Sequence, residues 1–160
     1  MKEIFKKRLT ARMDGEFVVF LIGMRMNKPW KIHKWMPIVM AMPKMLKELE
    51  KKKEWGFLGA EQSLGMIVQY WESFEKLEAY ARSKDGLHFP AWVEFNKKVK
   101  SSGDVGIWHE TYIIKPGCYE AIYHNMPKYG LGKVGELVTA SGNLESAGGR
   151  RENLAAKNVS

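Results

Sequence analysis

The sequence predicts an α+β domain of ferredoxin-like order, βαββαβ. Three observations predict it. Segments of strand period and helix period alternate in that order between residues 16 and 123. The first of them, EFVVFLIGMRM (16–26), is apolar on both faces, and a strand of that kind is covered on both sides. The 160 residues are 45% hydrophobic and 12% aromatic, enough for one domain with a buried core.

The elements follow in order. Strand 16–26 sets Val18, Phe20, Ile22 and Met24 on one face and Phe17, Val19 and Leu21 on the other. Trp35, Ile38, Met42, Met45 and Leu49 then recur at helical spacing. Pro43 is expected to kink or split that helix, and the lysines at its end suit a helix C-terminus. WGFLGAEQSLG (55–65) and MIVQYWE (66–72) read as two strands. Ser73 is a fitting N-cap for FEKLEAYAR, whose Phe74, Leu77 and Ala81 form an inward stripe. Lys84-Asp85-Gly86 breaks that helix, and Pro90 suits the first turn of another ending near Lys100. A loop at 101–104 leads to strand VGIWHETYII (105–114), a Pro116-Gly117 turn and CYEAIY (118–123), a further strand or strand extension. Helices would cover one sheet face. The other face, also apolar, is expected to be covered by a second copy, giving a homodimer. The domain is expected to span residues 1–138. Residues 139–160, rich in Gly, Ser and Asn, are expected to form a flexible polar tail by default, or else an arm lying on a partner.

Composition narrows the function. The single cysteine, Cys118, rules out an intramolecular disulfide, a Cys-x-x-Cys zinc motif and a c-type haem attachment; a cytoplasmic setting is expected. No apolar run reaches about 18 residues and no signal-peptide core is evident, so no membrane partner is expected. Of the net charge of +8, residues 1–53 hold 14 Lys/Arg against 5 Asp/Glu, and the remainder holds 12 against 13. Basic clusters such as Lys6-Lys7-Arg8 and Lys51-Lys52-Lys53 could meet nucleic acid or an anionic membrane surface. With no nucleic-acid motif beside them they read as a solvated rim, and no nucleic-acid partner is expected. Phosphate loops, His-Glu-x-x-His, EF-hand and Gly-x-Ser-x-Gly patterns are absent from the sequence. The methionine stripe at Met36, Met40, Met42 and Met45 suits core packing.

The histidines carry the chemical question. His33, in a basic turn, and His124, in a loop, are expected to be exposed. His88 falls on one helical face with Trp92, Phe95 and Val99, an apolar stripe with an imidazole at its N-terminal end. His109 shares a strand face with Val105, Ile107, Thr111 and Ile113. A lone histidine on an apolar face is usually a hydrogen-bonded core residue. Two beside one cavity also suit metal ligation or acid–base work.

Three segments, FVVFLIGMRMNKPWKIHKW, VQYWESFEKLEAYARSKDGLHFPAW and GDVGIWHETY, resemble a bacterial and fungal family labelled monooxygenase-like, within the dimeric α+β-barrel proteins. The likeness covers about residues 8–138. The YW-x-S-x-E-x-L pattern is also similar to that of antibiotic-biosynthesis monooxygenases and, more distantly, of haem-containing aldoxime dehydratases. The last resemblance implies b-type haem with His88 on the iron, Phe89 and Trp92 beside the porphyrin, and His109 as the catalytic proton carrier. It implies dehydration or oxygenation of a small organic substrate. Two alternatives stay open: a cofactor-independent monooxygenase whose substrate carbanion meets oxygen directly, and a non-catalytic binder of haem or another hydrophobic ligand.

Overall fold

A computed structural model describes residues 3–63, 65–99 and 102–156. Leu64, Lys100, Ser101 and residues 157–160, where parts of an expected turn, helix end, loop and tail fall, lie outside these described residues. Strand β1 (Leu9–Arg12) precedes β2 (Phe17–Met26), helix α1 (Ile32–Lys51), β3 (Phe57–Ser63), β4 (Met66–Trp71), α2 (Phe74–Arg82), α3 (His88–Val99) and β5 (Val105–Ile114). A short helix α4 (Leu131–Val134), β6 (Glu136–Thr139) and α5 (Ala147–Ala156) complete the chain. Strands β2 to β5 form one antiparallel sheet in the order β3-β4-β2-β5. With its helices this is the ferredoxin-like α+β arrangement expected.

Local chemistry explains most boundaries. Ser73 caps α2, its Oγ accepting from the Lys76 backbone N–H at 3.3 Å. Gly56, at φ 71°, turns the chain from a short 3-10 turn into β3. Pro37 and Pro43 both lie inside α1, which continues to Lys51 instead of splitting. Before α1, the turn 27–31 is fastened to the loop before β5. Asp104, almost wholly buried, pairs with Lys28 at 2.8 Å and Lys31 at 2.9 Å, while its carbonyl accepts from Asn27 N and Lys28 N. The Lys28 and Lys31 ammonium groups hold this carboxyl down at a pKa of about 2.

The register separates the two sheet faces. Val18, Phe20 and Ile22 stand beside Trp71, Gln69 and Ile67 of β4, and beside Ile113, Thr111 and His109 of β5. This inner face meets the helices: Val18, Leu49, Phe57, Trp71, Leu77 and Tyr80 form its core. The outer face carries Phe17, Val19 and Tyr70, packed with Ala11 and Leu131.

Three expectations are met differently here. The cover on this part of the outer face comes from the chain's own ends. β1 pairs with β6, and residues 119–137 lie across Phe17 and Tyr70. Residues 118–123 form no strand of the sheet; Tyr123 only bridges Leu9. The polar segment expected as a flexible tail is built into the fold through residue 156. Arg150 of α5 is buried, clasping Glu120 at 2.6 Å and the Leu144 and Glu145 carbonyls at 2.9 Å, and Leu154, one helical turn on, is buried too. Its order comes from buried ionic and carbonyl contacts, which hydropathy does not register.

Candidate functional site

Between the inner sheet face and helices α1, α2 and α3 lies a cavity of about 700 Å³. Its floor is Phe20, Ile22, Gln69, Ile107, His109 and Thr111. Ile38, Met42, Met45 and Leu46 of α1 form one wall. His88, Phe89, Trp92 and Phe95 of α3 form the other. All four residues singled out in sequence (His88, Phe89, Trp92 and His109) thus line one space. His33 and His124 are exposed and lie outside it.

His88 opens α3, seven residues beyond Ala81 in α2, and the two helices bring them together. Its Nδ1 lies 3.2 Å from the Ala81 carbonyl. A carbonyl only accepts, so Nδ1 carries the proton and Nε2 keeps its lone pair. Burial lowers the His88 pKa, outweighing the opposing Ala81 bond. A neutral imidazole at pH 7 results. Its ring lies 5.7 Å from that of Tyr80.

His109 projects from the middle of β5, opposite Ile22 in the ladder, with its ring 5.5 Å from Phe20. It is an exposed residue at the open side of the cavity, not the enclosed core histidine that Ile107 and Ile113 suggested. Ile113 is itself 54% exposed. The reason is topological: β5 is an edge strand. His109, unlike the inward residues of central β2, has no further strand beside it.

The α3 stripe behaves as its spacing predicts, with His88, Trp92, Phe95 and Val99 all on the cavity. Phe74, expected inward, is instead 40% exposed at the cavity edge. Tyr80 was missed. It is buried among Trp55, Trp71 and His88 at ring distances of 4.8, 5.6 and 5.7 Å. Its hydroxyl has no hydrogen-bond partner among the described residues. Burial, with Glu48 adding to it, pushes the Tyr80 pKa far above the ordinary phenol value. The spacing from Leu77 to Tyr80 was the available signal. Gln69 was missed too; its Oε1 accepts from the Trp71 indole N–H at 3.0 Å, holding a buried amide on the floor. The site can therefore enclose a largely apolar molecule, offer it a neutral imidazole, and meet its polar edge with His109, Thr111 and Gln69.

The model of the monooxygenase af470-like family matches residues 17–131, and the chain belongs to that family. Monooxygenase af470 of Aspergillus fumigatus is 28% identical over 161 aligned residues, 83% of this chain and 56% of that protein. The chain thus spans just over half the length of this curated relative. Among solved structures, a conserved protein from Methanosarcina mazei Go1 is similar at a TM-score of 0.41 and 14% identity, over 60% of this chain and 91% of that one. A nipsnap family protein of unknown function from Agrobacterium tumefaciens is similar at 0.34 and 19%, over 66% and 93%.

Proposed function

We propose that this member of the monooxygenase af470-like family oxygenates a largely apolar organic substrate in the cavity between sheet and helices, without a cofactor. The observation that carries this reading is the neutral His88 imidazole facing an apolar cavity that His109 also lines. A substrate bearing an acidic CH₂ beside a carbonyl or fused aromatic rings loses a proton to His88 Nε2. The carbanion gives its electrons to O₂ and forms a C–OO⁻ bond. Loss of the second hydrogen with cleavage of O–O leaves a C=O group and hydroxide, and His88 returns its proton to form water. The balance is R₂CH₂ + O₂ giving R₂C=O + H₂O, with the substrate as the only reductant. His109 and Thr111 are assigned to the developing enolate or peroxide oxygen. Anthrone is a suitable probe: oxygen uptake is expected from the purified protein, with loss in His88→Ala. Oxygen uptake no faster than in buffer for anthrone and for related acidic tricyclic ketones would overturn this reading.

A second reading is favoured by the same Nδ1 bond, because an imidazole pinned at Nδ1 presents Nε2 as an iron ligand. The residues fit b-type haem in that respect: His88 would hold the iron, with Phe89 and Trp92 along the ring. Bound haem would supply an iron centre for oxygen activation or for aldoxime dehydration. His109 would then hold or move a proton at the substrate. A Soret shift on adding haemin, present in the parent and lost in His88→Ala, would select this reading. A Soret shift without turnover would select a haem store.

A homodimer is also proposed. On the outer face Leu21 is half-buried, and Trp108 and Tyr112 of β5 remain 40% and 48% exposed, beyond the chain's own cover. Gly23 lets the Trp108 indole lie flat across β2, since a Cβ there would stand 2.5 Å from it. A second copy seated on this patch would bury both rings. A monomeric mass at micromolar concentration would refute it.

A further inference from the structure

Helix α1 has a second apolar face that the fold leaves unused. Its inner side carries Ile38, Met42, Met45, Leu46 and Leu49 onto the cavity. Its outer side carries Ile32, Met36, Val39 and Met40, which are 54%, 38%, 41% and 58% exposed. These positions recur every three to four residues and so form one stripe along the helix. The next turns of that side carry exposed Lys44, Lys47 and Lys51, with Glu50 among them. These three lysines make no ion pair among the described residues. Upstream stands Trp30, 73% exposed, the most exposed large apolar side chain among the described residues.

Trp30 is not loosely placed. Its turn is clamped by the Lys28 and Lys31 pairs to buried Asp104. It is closed by the Trp35 indole donating to the Pro29 carbonyl at 2.9 Å. A braced turn thus presents an indole to the outside, just ahead of an apolar stripe followed by lysines. A second copy is a poor occupant of this face, because Lys44, Lys47 and Lys51 outnumber Glu50 on it and two such faces would set like charges against each other. An anionic surface with an apolar interior matches both halves of the stripe.

We propose that the outer face of α1, with Trp30, docks the protein on anionic phospholipid membranes. The helix lies in the interface plane, its apolar turns among the acyl boundary and its lysines at the headgroups. The expectation of no membrane partner came from the lack of a spanning segment and from reading the basic clusters as a solvated rim; among the described residues no helix is long and apolar enough to cross a membrane, and surface docking needs none. Pro37, exposed on α1, also lines the cavity, and Phe89 and Trp92 are 36% and 46% exposed on its other wall. An apolar substrate dissolved in the bilayer would reach the cavity at this edge. That consequence rests on the oxygenase reading; the docking does not, and it is measured without substrate.

The test is co-sedimentation of the full chain with vesicles of phosphatidylcholine alone and of phosphatidylcholine with phosphatidylserine. Binding to the mixed vesicles is expected to exceed binding to the neutral ones and to fall with added salt. Lys44→Ala and Lys47→Ala are each expected to weaken it about fivefold at low salt. Met36→Glu with Met40→Glu is expected to abolish it. Circular dichroism checks that variant's fold, and Trp30→Ala, at an exposed side chain, gives an independent loss that does not depend on α1 packing. No preference for the anionic vesicles, or equal binding by all variants, would overturn the proposal. So would a stripe variant that only converts a dimer to a monomer on a sizing column, since the occupant would then be a second copy.

Discussion

The two faces of the sheet use the same kinds of residue to opposite ends. On the covered part of the outer face three tyrosine hydroxyls are bonded by backbone. Tyr119 accepts from the Met13 N–H at 2.7 Å, Tyr123 from Gly132 at 2.9 Å, and Tyr70 is bonded by Leu131. The Phe17 and Tyr119 rings meet edge to face at 5.2 Å, and Ala11 and Phe17 are nearly inaccessible. On the inner face a cavity of about 700 Å³ remains. Among the described residues, the Tyr80 hydroxyl is unpartnered and the His88 Nε2 lone pair is unused. A face whose polar atoms are all spoken for is a structural face; one that retains a lone pair beside empty space has something left to offer a ligand.

This contrast can be broken most forcefully at His88. Its replacement by Ala is expected to lower turnover by about 10²–10⁴-fold, the usual worth of a positioned proton acceptor. Melting of the same samples should change far less. On the outer face the order reverses: Phe17→Ala should cost about 3–5 kcal/mol of stability, read by denaturant unfolding, and leave activity per folded molecule intact. The tyrosines sharpen the comparison further. Tyr119→Phe strands the Met13 N–H and should destabilise by about 1–3 kcal/mol. Tyr80→Phe removes a hydroxyl with no partner and should stabilise the protein by a similar or smaller amount. Equal losses from both would mean that the Tyr80 hydroxyl is satisfied in solution.

The smallest effect is in pH. The His88 pKa is lowered in the folded state, so below about pH 6.5 the unfolded chain binds more protons there than the folded one. This contribution to stability is therefore complete above that pH and is lost as pH falls toward the lowered folded value. His88→Gln should flatten this segment of the stability profile. The Asp104 contribution, with its pKa held at about 2, is present above the ordinary carboxylate range and is lost at lower pH, so the two are separable.

The sequence made the inner face readable and the outer face hard to read, for a physical reason. Strand β2, the Ser73 cap and the stripe from His88 to Val99 declare themselves through local periodicity, and strand alternation put His109 on the face that the cavity uses. The outer cover is assembled from four-residue strands at opposite ends of the chain, Leu9–Arg12 with Glu136–Thr139. The helix that follows is held through Arg150 and Glu120. Neither has a period to detect. His109 was placed on the right face but with the wrong exposure, because edge position in a sheet depends on which strands pair, not on β5 itself. Tyr80 went unnoticed because its missing hydrogen bond is a property of the packed neighbours.

Everything proposed for the cavity depends on His88 being a neutral imidazole with its proton on Nδ1. Nitrogen-15 NMR of the four histidines, titrated from pH 8 to pH 4, measures this directly. The expected result is a His88 resonance in the Nδ1–H tautomer at neutral pH, with a pKa below about 6.5. A His88 that is charged at pH 7, or that carries its proton on Nε2, would contradict the assignment of this ring as proton acceptor or iron ligand.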